Sequence, residues 1–282
     1  MTARIIDGAK LAKAKRQELK SDISKIVATG KRPPCLAVVL VGDDPASHIY
    51  VSGKEKACKS VGIESRPIRL ATDTSREKLK EYMLALALDK NVDGILLQLP
   101  LPKHLNAIEM IECIPASKDV DGLTVASQGL LVKNLPGFVP CTPMGIMELL
   151  QSTNIDLQGA LAVVIGRSVL VGASITRLLE HAKATTISIA SNTRDPAKLT
   201  SQADIVVAAA GVKQLIDTSW IKHGAVVIDV GIHRNASGLC GDVNFDDVKK
   251  VASWITPVPG GVGPMTITAL LQNCFKAWTT AT

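Results

Sequence analysis

Ala160-Leu-Ala-Val-Val-Ile-Gly-Arg-Ser-Val-Leu-Val-Gly-Ala-Ser-Ile-Thr-Arg-Leu-Leu179 is the stretch that decides the fold. Its first six residues form an unbroken apolar run, the pattern of a strand buried on both faces of a parallel sheet. A turn bearing Gly166 and Gly172 follows, and the spacing predicts a helix over 172–182. Such a strand, glycine turn and helix start suit a dinucleotide pyrophosphate, because glycine lets the backbone come close and unpaired helix N–H groups neutralise the anion. The interval from Gly166 to Gly172 departs from GxGxxG, so the turn alone fits either a cofactor cradle or a tight connection.

Downstream, TTISIA (185–190), a short helix, DIVVAAAG (204–211) and GAVVIDVG (224–231) continue the alternation. Strands separated by helices imply right-handed crossovers and a Rossmann-type doubly wound parallel sheet. An NAD site usually ends its second strand with an acid that bonds the ribose hydroxyl. Here Ser191, Asn192, Thr193 and Arg194 come first, and Asp195 only after them. With Arg167 in the glycine turn, this favours a phosphorylated ribose, and hence NADP over NAD, since guanidinium matches phosphate geometry.

Upstream, Leu11, Leu19, Ile23, Ile26 and Val27 recur at helical spacing over 8–27, and the helix stops near Gly30 and Pro33-Pro34. CLAVVLVG (35–42) reads as a second fully buried strand, and a helix follows from about 46 to 61. A strand around Pro67 is edge-like, because proline cannot donate to a ladder. A helix over 75–88 and a strand over 94–99 complete this half, giving an α/β domain over 1–122. The proline-dotted stretch 123–143 suits a linker, 140–264 forms the second domain, and a last helix over about 265–282 returns to the first. The fold class is therefore α/β with two domains.

Bulk properties remove several classes of function. With 46% hydrophobic and 21% charged residues the chain can bury a full core. Its longest apolar runs are strand-sized, far short of a membrane span, and charges at Arg4, Asp7 and Lys10 leave no room for a signal peptide. A cytoplasmic protein without membrane attachment is expected. The six cysteines lie at least 23 positions apart with no CxxC pair, which speaks for free thiols and no zinc site. The net charge of +6 would attract anions, but only eight aromatic residues are present and none interleaves a basic run. No nucleic acid partner is expected.

The residues with chemistry to offer lie mostly in the first half. Tyr50 and Lys54 are four apart on a predicted helix and project from one face. A lysine among apolar neighbours loses charge more readily and can move protons, whereas a solvated one is only a surface charge. Gln98 stands at the C-terminal end of a buried strand, where open α/β sheets gather ligands; a loop-capping amide is the plainer role. Asp119 and Asp121 in KDVDG could accept bonds from an amino-pyrimidine edge or bond their own turn. PVPGGVGPMT, which includes Pro259, Gly260 and Gly261, could lie against a flat ring or serve as a rigid connector.

Taken in order, VGDDPASHIYVSGKEKAC, DGILLQLPLP, KDVDGL, PCTPMGI, VIGRSVLVG, GAVVIDVGI and ITPVPGGVGPMT resemble the bifunctional methylenetetrahydrofolate dehydrogenase/methenyltetrahydrofolate cyclohydrolase family. The resemblance implies a folate-binding catalytic domain, an NADP-binding Rossmann domain, a cleft between them, and a homodimer acting on a folate substrate, free or polyglutamylated. It implies that Tyr50 packs on the aminobenzoyl ring, that Lys54 is the main catalytic group supported by Gln98, and that Asp121 holds the pterin. Pro259, Gly260 and Gly261 are implied on the substrate side, and Gly166, Arg167, Ser168, Ser191 and Ile232 at the cofactor. Ser127, Ser174, Ala190 and His233 depart from the family pattern, the last replacing a common asparagine. Two other readings share some of these features: an NADP-dependent dehydrogenase of a different small substrate, which leaves Tyr50, Lys54 and Gln98 unexplained, and a non-catalytic nucleotide- or RNA-binding protein.

Overall fold

A computed structural model describes residues 2–235 and 238–280. The chain divides into two compact units, one made of Met1–Lys13 and Thr142–Thr266, the other of Ala14–Cys141 and Ile267–Thr282. The first thirteen residues thus group with the second sheet, whereas the sequence pattern puts them in the N-terminal domain. No helix of the described residues is long and apolar enough to cross a membrane.

The unit around Ala14–Cys141 takes most of α1 (Gly8–Val27), then β2 (Cys35–Val41), α2 (Pro45–Val61), β3 (Glu64–Leu70), α3 (Arg76–Leu88), β4 (Gly94–Leu97), α4 (Ala107–Ile111) and α5 (Val125–Val132). β1 (Arg4–Ile5) precedes these in the other unit. The three strands form a parallel sheet in the order β3-β2-β4, so the proline-bearing β3 is indeed an edge. Central β2 is buried along its whole length. Cys35, Ala37, Val39 and Val41 enter one apolar cluster with Leu79, Met83, Ile95 and Leu97, while Leu36, Val38 and Leu40 point to the opposite face. Such two-sided burial is why β2 reads as an unbroken apolar run. Asp44 caps α2, accepting from the Ser47 N–H and hydroxyl at 2.8 Å each, Pro45 fits its first turn, and Gly62 ends it at φ 87°.

The other unit takes most of α6 (Cys141–Ser152), then β5 (Leu161–Ile165), α7 (Ser174–His181), β6 (Thr185–Ile189), α8 (Pro196–Thr200), β7 (Ile205–Ala208), β8 (Val226–Asp229), β9 (His233–Asn235), β10 (Gly238–Cys240), α9 (Phe245–Val248) and β11 (Trp254–Ile255). The long α10 (Val262–Thr280) starts here and ends in the first-described unit. Six parallel strands run β1-β11-β8-β7-β5-β6, with β9 and β10 as a separate hairpin. Ala162 and Val164 enter one core with Ile205 and Val207, whereas Val163 and Ile165 enter another with Val206 and Ala208. Residues alternating between two cores are the packing signature of a sheet covered on both faces. Strand order reverses between β5 and β7, which places the switch point beside the glycine turn.

Two further sequence expectations differ from this picture. The stretch 123–143 is not a plain linker, since it carries α5 and the start of α6. Thr124 caps α5 by accepting from the Ser127 N–H at 3.2 Å. α6 escapes the pattern because Pro143 and Gly145 look like breakers, yet proline is tolerated in a first turn, and a Cβ at Gly145 would lie 2.9 Å from that of Met265. The glycine turn also enters its helix earlier than expected, through a widened turn over Val169–Ala173.

The start of β2 is pinned to the approach to β4 by one buried carboxylate. Asp93, with 2% of its side chain accessible, accepts both Arg32 guanidinium nitrogens at 2.7 and 2.9 Å and the Cys35 N–H at 2.7 Å. Arg32→Ala should strand that charge and lower stability by about 1–2 kcal/mol, discounted because the arginine is more than a third exposed. Urea unfolding checks this; a loss under ~0.3 kcal/mol would show that the pair contributes nothing net.

Candidate active site and cofactor cradle

Lys54 projects from the third turn of α2 and donates from Nζ to Gln98 Oε1 at 2.8 Å. Gln98 is buried immediately after β4, and its own N–H extends the ladder to Val39 O at 2.8 Å. Its amide nitrogen donates to Leu99 O at 2.6 Å. A carbonyl only accepts, so this bond fixes which way the amide faces and leaves Oε1 for the ammonium. Burial holds the Lys54 amine below the ordinary lysine range, while the carboxylate of Asp121 pulls in the opposite direction.

KDVDG places its two aspartates in separate roles. Asp119 accepts from the Leu123 and Thr124 N–H groups at 3.1 and 2.9 Å and from the Thr124 hydroxyl at 2.7 Å. It is the turn residue that the sequence allowed for. Asp121 interacts with Lys54 instead; burial pushes its carboxyl above the usual range, opposed first by the Lys54 charge and then by the nearby Cys141 thiol. Tyr50 lies one helical turn before Lys54 and is 44% exposed, as is its neighbour Ile49 at 61%. An aromatic surface thus remains uncovered one helical turn from the partly buried amine.

Two residues near this cluster carry no sequence signal of their own. Cys141 lies in PCTPMGI, and its thiol donates to Val120 O at 3.3 Å; burial pushes it well above the usual thiol range. Asn273 in α10 donates to Val120 O and Val139 O at 2.9 and 3.0 Å, tying the residue before Asp121 to the approach to α6. A helix-interior asparagine gives no pattern that would have exposed it.

In the other unit the glycine turn proves sterically obligatory. Gly166 has φ 114°, and a Cβ there would come within 2.1 Å of Ala209 O; one at Gly172 would come within 2.0 Å of Gly166 O. Both positions require glycine, the first for its left-handed backbone and the second for helix-to-strand approach. Gly166, Arg167 and Ser191 line a cavity of about 540 Å³ at the C-terminal ends of β5, β6 and β7, together with Ala210, Val212 and Trp220. Arg167 donates to Ser188 O at 2.9 Å, which holds its exposed guanidinium at the rim. Ser168 starts the widened turn and accepts at its carbonyl from Ala173 N–H at 3.0 Å, but does not line this cavity. Asp195, the first acid after β6, sits at φ 48° before α8 and also stays off the cavity wall.

Ile232 lies in a second, smaller cavity of about 150 Å³, where Pro259, Gly260 and Gly261 form the facing wall. Asp229 at its edge accepts from the N–H groups of Gly231, Asp242 and Val243 at 3.0, 2.9 and 3.0 Å. Burial still raises that carboxyl to about 6. The predicted site residues therefore fall into three groups, with Ser168 outside them: Lys54, Gln98 and Asp121 with Tyr50 alongside; Gly166, Arg167 and Ser191; and Ile232 with Pro259–Gly261.

Two family models cover the chain: the tetrahydrofolate dehydrogenase/cyclohydrolase catalytic domain over residues 6–121 and its NAD(P)-binding domain over residues 140–282. The chain belongs to the tetrahydrofolate dehydrogenase/cyclohydrolase family. The bifunctional protein FolD of Agathobacter rectalis is 48% identical, across 98% of this chain and 99% of that protein. Among solved structures, the bifunctional FolD of Campylobacter jejuni superposes with a TM-score of 0.96 at 43% identity, covering 98% of this chain and 99% of that one. The Trypanosoma brucei dehydrogenase-cyclohydrolase, solved with NADP and an inhibitor, gives 0.95 at 35% identity, covering 99% and 98%. In this dehydrogenase/cyclohydrolase chain the Lys54 cluster falls within or beside the catalytic-domain match, and both cavities fall within the NAD(P)-binding one.

Proposed function

We propose that this chain oxidises 5,10-methylenetetrahydrofolate to the 5,10-methenyl form with NADP, then hydrolyses that product to 10-formyltetrahydrofolate, with Lys54 as the catalytic group of the hydrolysis. The observation that carries the residue assignment is the partly buried Lys54 amine, depressed in pKa and aimed by Gln98. Family membership supports the pair of reactions, and the NADP complex of the Trypanosoma brucei relative supports the cofactor.

The cradle suits a dinucleotide because the tight glycine turn after β5 stands at the switch point of the sheet, where a cavity of about 540 Å³ opens beside it. Gly166, Arg167, Ser191 and Ile232 would hold the cofactor from the cavity walls and Ser168 from the turn beside them, with Arg167 and Ser191 the residues that would meet a 2′-phosphate. The cavity wall beyond β6 presents Ser191 and no acid that would repel that phosphate. NADP, when bound, supplies the hydride acceptor. The catalytic unit contributes orientation: Tyr50 offers a flat exposed ring for the aminobenzoyl group and Asp121 accepts from the pterin edge.

Hydrolysis adds water to the methenyl carbon, which carries the positive charge shared by the folate nitrogens. An amine with a lowered pKa is more readily available as a base than an ordinary lysine: it takes the first proton from the attacking water and releases it to solvent, then takes the hydroxyl proton of the adduct and returns it to the nitrogen that leaves as the ring opens to the formyl product. Gln98 directs the Nζ–H bonds throughout, because its amide is locked by Leu99 O. The Asp121 charge opposes the effect of burial on the Lys54 amine and favours its charged form.

Lys54→Met should reduce methenyltetrahydrofolate hydrolysis at least about a hundredfold, in the range of a lost general acid–base, while folate binding stays within about fivefold. Decay of methenyl absorbance measures the first and equilibrium binding the second; hydrolysis near the wild-type rate would remove Lys54 from the chemistry. Arg167→Ala should raise the KM for NADP by roughly tenfold or more and leave that for NAD within about twofold, as expected for losing a charge-assisted phosphate contact. Equal weakening of both cofactors would contradict the phosphate assignment.

A further inference from the structure

His233 opens the β9–β10 hairpin, lines neither cavity, and keeps only 21% of its side chain accessible. Its Nε2 lies 2.7 Å from Asp242 Oδ1. A carboxylate only accepts, so Nε2 carries the proton of this bond. The Asp242 side chain is completely buried, and its other oxygen, Oδ2, accepts from Gly211 N–H at 2.8 Å. The Asp242 backbone N–H in turn donates to Asp229 Oδ1, which also takes the Gly231 N–H.

These bonds join two loops. Gly211 follows β7 between Ala210 and Val212, both of which line the 540 Å³ cavity. Gly231 follows β8 between Val230 and Ile232, which line the 150 Å³ cavity. The second loop is pressed onto the carboxylate without slack, since a Cβ at Gly231 would sit 2.3 Å from Asp242 Oδ1. One buried carboxylate thus sets the main chain on the walls of both cavities at once, and His233 occupies the oxygen that Gly211 does not use.

We propose that Asp242 and His233 are positioning residues for the dehydrogenase reaction, holding the loops after β7 and β8 in the shape that lets one dinucleotide fill both cavities. The inference rests on the assignment of those cavities to NADP. Neither side chain need touch the reacting atoms. Removing the imidazole donor leaves an acceptor of a buried carboxylate unmatched, and the Gly231–Ile232 wall shifts to satisfy it.

The test compares His233→Phe, which keeps a ring but no donor, with His233→Asn, which keeps a donor on a shorter arm. Quenching of Trp220, in the cavity wall, reads NADP affinity. For His233→Phe the dissociation constant should rise roughly tenfold and kcat for hydride transfer should fall, in the range expected for one hydrogen bond to an ionised group. Hydrolysis of added methenyltetrahydrofolate, which needs no hydride transfer, should stay within about twofold and so reports that the protein is folded. His233→Asn should restore affinity to within about threefold of wild type. Unchanged NADP affinity in His233→Phe, or a parallel fall in both activities, overturns the positioning role. A wild-type chain that fails to bind NADP at all would instead remove the cavity assignment and this inference with it.

Discussion

An ammonium group withdrawn from water is stable only if other dipoles and charges replace its hydration, and at Lys54 that replacement comes from Gln98 Oε1 and Asp121. Much of the catalytic half serves to keep those two acceptors in place. β2 and β4 pair so that Val39 O fixes the Gln98 main chain, and Leu99 O fixes its amide. Asp119 absorbs the turn's own N–H groups, which leaves Asp121 for the lysine, and Asn273 ties down the Val120 carbonyl beside it. The amine that results is neither a solvated surface charge nor a fully paired ion, and its pKa is shifted down, the direction that favours a lysine acting as a base.

The cofactor half relies on a different constraint, namely the absence of side chains. Gly166 and Gly172 bring β5 and the following helix so close that carbonyl oxygens occupy the space of a Cβ. That approach opens the ends of β5, β6 and β7 into a cavity at the switch point of the sheet, where a doubly wound fold gathers its ligand. Buried carboxylates then do for the loops what glycine does for the turn. Asp229 and Asp242 between them accept from Gly211, Gly231, Val243 and His233.

Strands buried on both faces were the most legible part of the sequence. β2, β5, β7 and β8 each sit inside an apolar run; alternate residues of the last three enter opposite cores, and β2 is buried along its whole length. Less legible were elements whose local signals point the wrong way: α6 carries Pro143 and Gly145, and α5 contains Gly129, so both lie in a stretch that reads as linker. Their helicity comes from tertiary packing and from the Thr124 cap, not from propensity. β1 and β11 are two residues long and pair through distant partners, beyond what periodicity detects. At the site, Lys54, Gln98 and Asp121 were nameable because each lies at an informative place in a motif. Asn273 and Asp242 were not, because their roles arise from main-chain groups brought near only by folding.

The state of the Lys54 amine is therefore the quantity to measure. Carbon-detected NMR titration of the labelled lysine side chains, with Lys54 assigned by its loss in Lys54→Met, reads it directly. Its midpoint should fall clearly below the ordinary lysine value of ~10.4, and should move upward in Gln98→Glu, where a carboxylate beside the ammonium favours the charged form. A wild-type midpoint at the ordinary value, unmoved by that substitution, would contradict the central role given to the buried amine.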